Sequence, residues 1–285
     1  MRNQESNIGR EPSPEHPKEI ADLNPSFEAT RTDTARLLER IDITVPTLAE
    51  FAREGGVQFE RLGQAYKTMK GLKLEPLIAY APVLKHKQWT NLYRALQDDP
   101  SVNHDGRIKN GGLDITGAIR GYWDELQSSE NEINIDNVTW QVIVLPGTDK
   151  PPQVNLDHNG YSGYDGKHGL NRKLLKQAGN LGIFGYQLIP GRLHPTIATY
   201  LTIQANKLQS GEKPIDKSRE TWLRGTLDGN KAPIGCWRLD YGQVNLNWNY
   251  VKDQSFRIGV RLPMWDKFLL VQYICRVEGI PRYYE

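Results

Sequence analysis

From Trp237 to Leu262, apolar and polar residues alternate, and no other stretch constrains the fold as much. The apolar set is Trp237, Leu239, Tyr241, Val244, Leu246, Trp248, Tyr250, Phe256, Ile258, Val260 and Leu262. Period two marks strands with one buried face. Between them stand Arg238, Asp240, Asn245, Asn247, Asn249, Arg257, Gly259 and Arg261, a row of asparagine and arginine without an aliphatic residue. This pattern predicts a three-stranded antiparallel meander. A two-residue turn at Gly242-Gln243 sets Leu239 opposite Leu246 and Trp237 opposite Trp248. A longer turn over Val251 to Ser255 sets Trp248 opposite Ile258 and Gly259 opposite Asn247. A one-residue slip would bury the asparagines and expose the tryptophans.

The chain has 285 residues and a formal net charge of +2. That is ample for a core and excludes a strongly polybasic or polyacidic protein, but not a local basic face. Its two cysteines, Cys236 and Cys275, make neither a disulfide framework nor a zinc ligand set. Residues Met1 to Asn7 lack an apolar segment, and no run approaches a membrane span. The expectation is an intracellular, cytoplasmic, soluble protein that does not engage membranes.

Residues 1–30 are rich in Pro, Glu, Ser and Asn and read as a disordered arm. Helical spacing dominates 31–130. Segments are expected through Leu37 and Ile41, from Pro46 to Gly55-Gly56, over 57–70, around Trp89 to Leu96, and around Ile115 to Leu126. An apolar run at Leu77 to Val83 interrupts them. Residues 131–285 read as α+β. Val138 to Leu145 is a strand, Ile183 to Ile189 another, and His194-Pro195 open a long helix through Leu208. Asp216 is placed to cap a helix through Trp222. Phe268 to Val277 leans to helix. The fold class is therefore α+β. A helical N-terminal part packs with or precedes a mixed C-terminal part containing the meander.

Three constellations can carry chemistry. The loop after Leu156 holds Asp157, His158, Asp165 and His168, two imidazoles and two carboxylates in a short span. These are ligands for a divalent metal, and His158 can serve instead as a general base. The order strand, Asp157-His158, loop, His168, Asn171, helix resembles ββα-metal nucleases. That resemblance is confined to this loop and its flanks, and implies a metal-dependent hydrolase with Asp157, His158 and His168 catalytic. The zinc-stabilising cysteines of many members of that family are absent. The competing reading is a Gly/Tyr-rich surface loop in which Asp and His make turns.

The second constellation is a basic helix with Arg172, Lys173 and Lys176. Arg172 and Lys176 share a face suited to phosphate; a solvated helical face is the alternative. The third is the polar sheet face: Arg238, Asn245, Asn247, Asn249, Arg257 and Arg261. Asn and Arg read base edges, and Arg grips phosphate bidentately. A merely solvated or helix-covered sheet face explains it equally. The glycines 160, 163, 166 and 169 form no phosphate loop, because no Gly-Lys-Ser/Thr opens a helix there.

The favoured expectation is a macromolecule-binding protein that contacts nucleic acid, or a protein, through the Asn/Arg face and the basic helix. No cofactor is expected. A divalent metal enters only under the alternative, a nuclease-like hydrolase centred on the Asp157 to His168 loop. A structural or assembly subunit without a ligand is the third reading.

Overall fold

The computed structural model describes residues 25–71, 73–127, 132–149, 151, 153–154, 194–253 and 257–260. The chain begins there with helix α1 (Pro25–Leu38) and a 3-10 turn (Glu39–Ile41). Helices α2 (Leu48–Arg53) and α3 (Phe59–Gly71), strand β1 (Pro76–Pro82) and helix α4 (His86–Asp98) follow. Next come β2 (Leu113–Ile115), α5 (Gly117–Gly121), α6 (Trp123–Gln127), β3 (Ile133–Ile135), β4 (Val138–Pro146) and β5 (Gln153–Val154). Last are α7 (Ile197–Gln209), β6 (Glu220–Trp222), β7 (Lys231–Arg238), β8 (Gln243–Tyr250) and β9 (Ile258–Val260).

Local chemistry starts the helices where the sequence requires. Thr47 accepts from the Glu50 amide at 3.2 Å, and the Glu50 carboxylate accepts from the Thr47 amide at 2.7 Å. This reciprocal cap satisfies two donors that the first turn of α2 would otherwise leave open. Thr196 caps α7 in the same way, accepting from the Thr199 amide.

The strands form two sheets. A three-stranded antiparallel sheet runs β1-β4-β3, and a six-stranded mixed sheet runs β2-β8-β7-β6-β9-β5. Within the larger sheet β2 is parallel to β8 and β6 parallel to β9. Helix α7 packs on β1 of the small sheet, and its Tyr200 ring reaches Gly235 in β7 of the large one. Buried residues occupy consecutive positions from Ile197 to Ala205, as expected for a helix covered on every side. Its buried glutamine and threonines are paired. Gln204 donates to the Tyr200 hydroxyl at 2.8 Å and to the Ile215 carbonyl, and it accepts from the Ile215 amide. Thr196 and Thr199 both donate to the side-chain oxygen of Gln141 in β4.

The α+β class holds, and a three-stranded antiparallel sheet is present, built from β1, β4 and β3. Strands β1 and β2, which lie within 31–130, pair with β4 and β8 from beyond residue 131. The expected meander is corrected in two respects. The hairpin exists, but Trp237 pairs with Val244 and Arg238 with Gln243. Leu239 does not meet Leu246, nor Trp237 Trp248; Leu246 pairs with Gly235 and Trp248 with Pro233. The connection is the four-residue loop 239–242, and it leaves Leu239 62% and Tyr241 56% exposed. The offset is even, so the faces keep their identity. The physical gain is a ladder of eight residue pairs reaching back to Lys231 and Tyr250.

The third strand goes elsewhere. Ile258 does not pair with Trp248; β9 lies between β6 and β5, with Gly259 beside Thr221 and Val154. Nor is the asparagine face free of aliphatic residues. The same register puts Ala232, Ile234 and Cys236 opposite Asn249, Asn247 and Asn245, and all three are buried.

Other expectations shift locally. Residues 220–222 form strand β6 rather than a helix capped by Asp216. The segment around Ile115 to Leu126 is a strand and two short helices. Helix α1 begins at Pro25, inside the stretch expected to be an arm, and Phe27 is 2% exposed. Residues 1–24, the basic helix, the strand expected at Ile183 to Ile189 and the segment Phe268 to Val277 lie outside the described residues.

Candidate anion-binding cleft

An open cleft of about 280 Å³ sits where β6 begins and β7 ends. The loop 216–219 forms one wall, and Arg257, just ahead of β9, closes another. Four cationic residues line it: Lys217, Arg219, Arg238 and Arg257. Two carboxylic acids, Asp216 and Glu220, stand among them, with Cys236 and Trp237.

The backbone fixes this arrangement. Asp216 is fully buried and adopts a left-handed conformation, φ 59°, which aspartate tolerates better than most residues. Its side chain accepts from the Thr221 hydroxyl at 2.7 Å. Its amide donates to the Asp149 carbonyl, and its carbonyl accepts from the Trp237 amide. The loop is thus tied at one point to β7, to β6 and to the segment after β4. Lys217 approaches the Asp149 carboxylate at 3.7 Å. The Glu220 amide donates to the Arg257 carbonyl at 2.7 Å, which holds Arg257 beside the start of β6.

The electrostatics follow from burial and from this crowding. Burial pushes the Glu220 carboxyl above its usual range. Arg238 and Arg257 pull it back down, while Asp216 and Asp253 push it further up. Burial also pushes the Cys236 thiol up to about 12, with Glu220 adding to the effect. That thiol is protonated at neutral pH and is no nucleophile. The cleft therefore offers cationic donors on a fixed frame rather than an activated attacking group.

Of the residues singled out by sequence, Arg238 and Arg257 converge on this cleft. The asparagines do not join them as a reading row. Asn245 donates to Asp114 at 2.8 Å and is 8% exposed. Asn247 and Asn249 accept from the amides of their own successors, Trp248 and Tyr250, and Asn249 also donates to Asp253. Each thus makes at least one hydrogen bond within the protein. Arg261, Arg172, Lys173 and Lys176 lie outside the described residues, as do Asp157, His158, Asp165 and His168. Among the described residues no cluster of three or more His, Cys, Asp or Glu is placed to hold a metal ion. No described helix is long and apolar enough to cross a membrane.

Sequence reasoning missed Lys217, Arg219 and Glu220. The run Asp216-Lys217-Ser218-Arg219-Glu220 is the most charged segment near the hairpin. Read as a helix start, it points nowhere in particular. Read as a pinned loop and strand start, it faces Arg238. Comparison with protein-family models, with curated proteins and with solved structures finds no match.

Proposed function

We propose that the protein binds nucleic acid through this cleft, with Arg238 and Arg257 as the principal phosphate ligands. The observation that carries the reading is the convergence of two arginines from separate segments with Lys217 and Arg219 in one open cleft. A guanidinium presents donors in a planar fork that matches phosphate oxygens. The two carboxylates keep the local charge from being uniformly positive, so the fold does not have to hold four uncompensated cations together. Counting Asp149, which lies 3.7 Å from Lys217, four cations face three carboxylates, a formal excess of one positive charge for a phosphate to match.

The test is fluorescence anisotropy with a labelled oligonucleotide on wild type and on the double substitution Arg238→Gln, Arg257→Gln. Each lost charge-assisted contact removes roughly 1.5–3 kcal/mol, so the double variant should bind about 100-fold more weakly or worse. An unchanged affinity contradicts the proposal.

A further inference from the structure

The loop between β7 and β8 carries a second feature that the cleft alone does not use. Leu239 and Tyr241 are 62% and 56% exposed, a leucine and an aromatic ring together at one tip. The tip is nonetheless held firmly. The Tyr241 amide donates to the Arg238 carbonyl at 3.2 Å, which ties the ring's own residue to a cleft arginine. The Tyr241 carbonyl accepts from the Asn110 side chain at 3.0 Å. The Gly242 carbonyl accepts from the Lys109 amide at 2.8 Å. Gly242 turns with φ +58°, and the backbone of residue 107 and the Lys109 side chain press against it, so no other residue fits the turn without displacement.

Exposed apolar side chains on a loose loop are unremarkable. Here the backbone under them is held by Arg238, just before the tip, and by Lys109, itself exposed, and Asn110; the exposed Asp240 stands between the two apolar residues. An exposed aromatic residue whose amide is bonded to a cleft-lining arginine has the parts of a site for single-stranded nucleic acid. Bases stack on the ring while the backbone follows the positive charge. A duplex keeps its bases stacked on each other and leaves no base face free for the ring. The backbone under the ring is held before binding, so little backbone entropy remains to be lost.

We propose that Tyr241 is a base-stacking platform, and that the protein selects unpaired over paired nucleic acid through it. The proposal rests on the reading that the neighbouring cleft holds phosphate. Charge favours nucleic acid as the occupant of the tip: Arg238 and Lys109 flank it and outnumber its one acid, the exposed Asp240.

The experiment compares three labelled ligands: a single-stranded oligothymidylate, a duplex of the same length, and an abasic strand that keeps the phosphates and lacks the bases. Wild type should bind the oligothymidylate more tightly than the other two. Tyr241→Ala should weaken the oligothymidylate by roughly 5- to 150-fold, the effect of one stacked base. It should leave the abasic strand unchanged. Tyr241→Trp should restore the single-strand preference, and an unchanged melting temperature of Tyr241→Ala shows that the tip is intact. Equal binding of all three ligands by wild type, or no effect of Tyr241→Ala on the oligothymidylate, overturns the stacking role; the second result leaves the tip to a protein partner. In either case salt-sensitive binding of the abasic strand shows that the phosphate reading survives on its own. If wild type binds none of the three, the phosphate reading fails, and the stacking role fails with it.

Discussion

Glu220 is the residue through which the cleft can be tuned. Its carboxyl is held above the usual range, first by burial, against the pull of Arg238 and Arg257. For an acid with a raised folded-state value, the favourable protonated form prevails at low pH. Its stabilising effect is complete below the unfolded value and is lost as pH rises through the folded one. Two outcomes follow. Glu220→Gln should remove this limb from the stability profile, raising the melting temperature at neutral pH relative to wild type. The same substitution should tighten phosphate binding several-fold, because the carboxylate competes with phosphate for both arginines. Removing one part-screened competing charge is worth about 1 kcal/mol or less. Measuring affinity as pH falls from neutral toward the ordinary carboxylate range checks the sign: wild-type binding should strengthen as Glu220 protonates, and Glu220→Gln should be flatter. A weaker-binding Glu220→Gln would place Glu220 on the ligand's side of the balance instead.

At the scale of elements, the hairpin shows what a sequence can and cannot convey. Alternation identified one buried face, with Trp237, Val244 and Leu246, but not that Ala232, Ile234 and Cys236 are buried on the opposite one. It could not choose between registers that differ by an even step, because both keep that face inward. The pairing that wins lengthens the ladder to Lys231, through Pro233 and Gly235, two residues that look like strand breakers. Leu239 and Tyr241, which the alternation assigns to the core, are left at the tip. Gly235 itself has a packing reason. A methyl group there would meet the Tyr200 ring of α7 at 2.5 Å, a collision with a fully buried side chain. Gly235→Ala should therefore destabilise the protein by about 1–3 kcal/mol through overpacking. Chemical denaturation reads this directly, and Gly235→Ala combined with Tyr200→Leu should recover part of the loss. No recovery would mean that the two residues do not share a packing site.

At the scale of the molecule, α7 is the element that the chain is built around, since it meets β1 of one sheet and Gly235 of the other. Its existence was legible from the apolar spacing after His194-Pro195; its central position was not. The partners of β2 and β9 were equally hidden. A short strand announces its faces but not its neighbour, and the β2–β8 and β5–β9 pairings join residues more than a hundred positions apart. The cleft depends on such pairings. Arg238 and Arg257 could be named from sequence as arginines of one sheet face, yet what brings them together is the Glu220–Arg257 backbone bond and the pinned loop at Asp216. Phe27 makes a related point at the N-terminal edge. It packs edge-on to Phe59 at 5.5 Å, and its carbonyl accepts from the buried Tyr80 hydroxyl. Phe27→Ala should destabilise the protein by about 3 kcal/mol or more, whereas a dispensable arm at that position would show no change in melting temperature.

The central claim is that Arg238 and Arg257 are phosphate ligands, and the dependence of binding on salt tests it most directly. Each phosphate contact contributes about −0.7 to the slope of log affinity against log salt for a single strand. The account predicts that the double substitution Arg238→Gln, Arg257→Gln reduces the magnitude of that slope by about 1.4, with the fold retained. A slope identical to that of wild type would show that neither arginine touches phosphate, and would contradict the account.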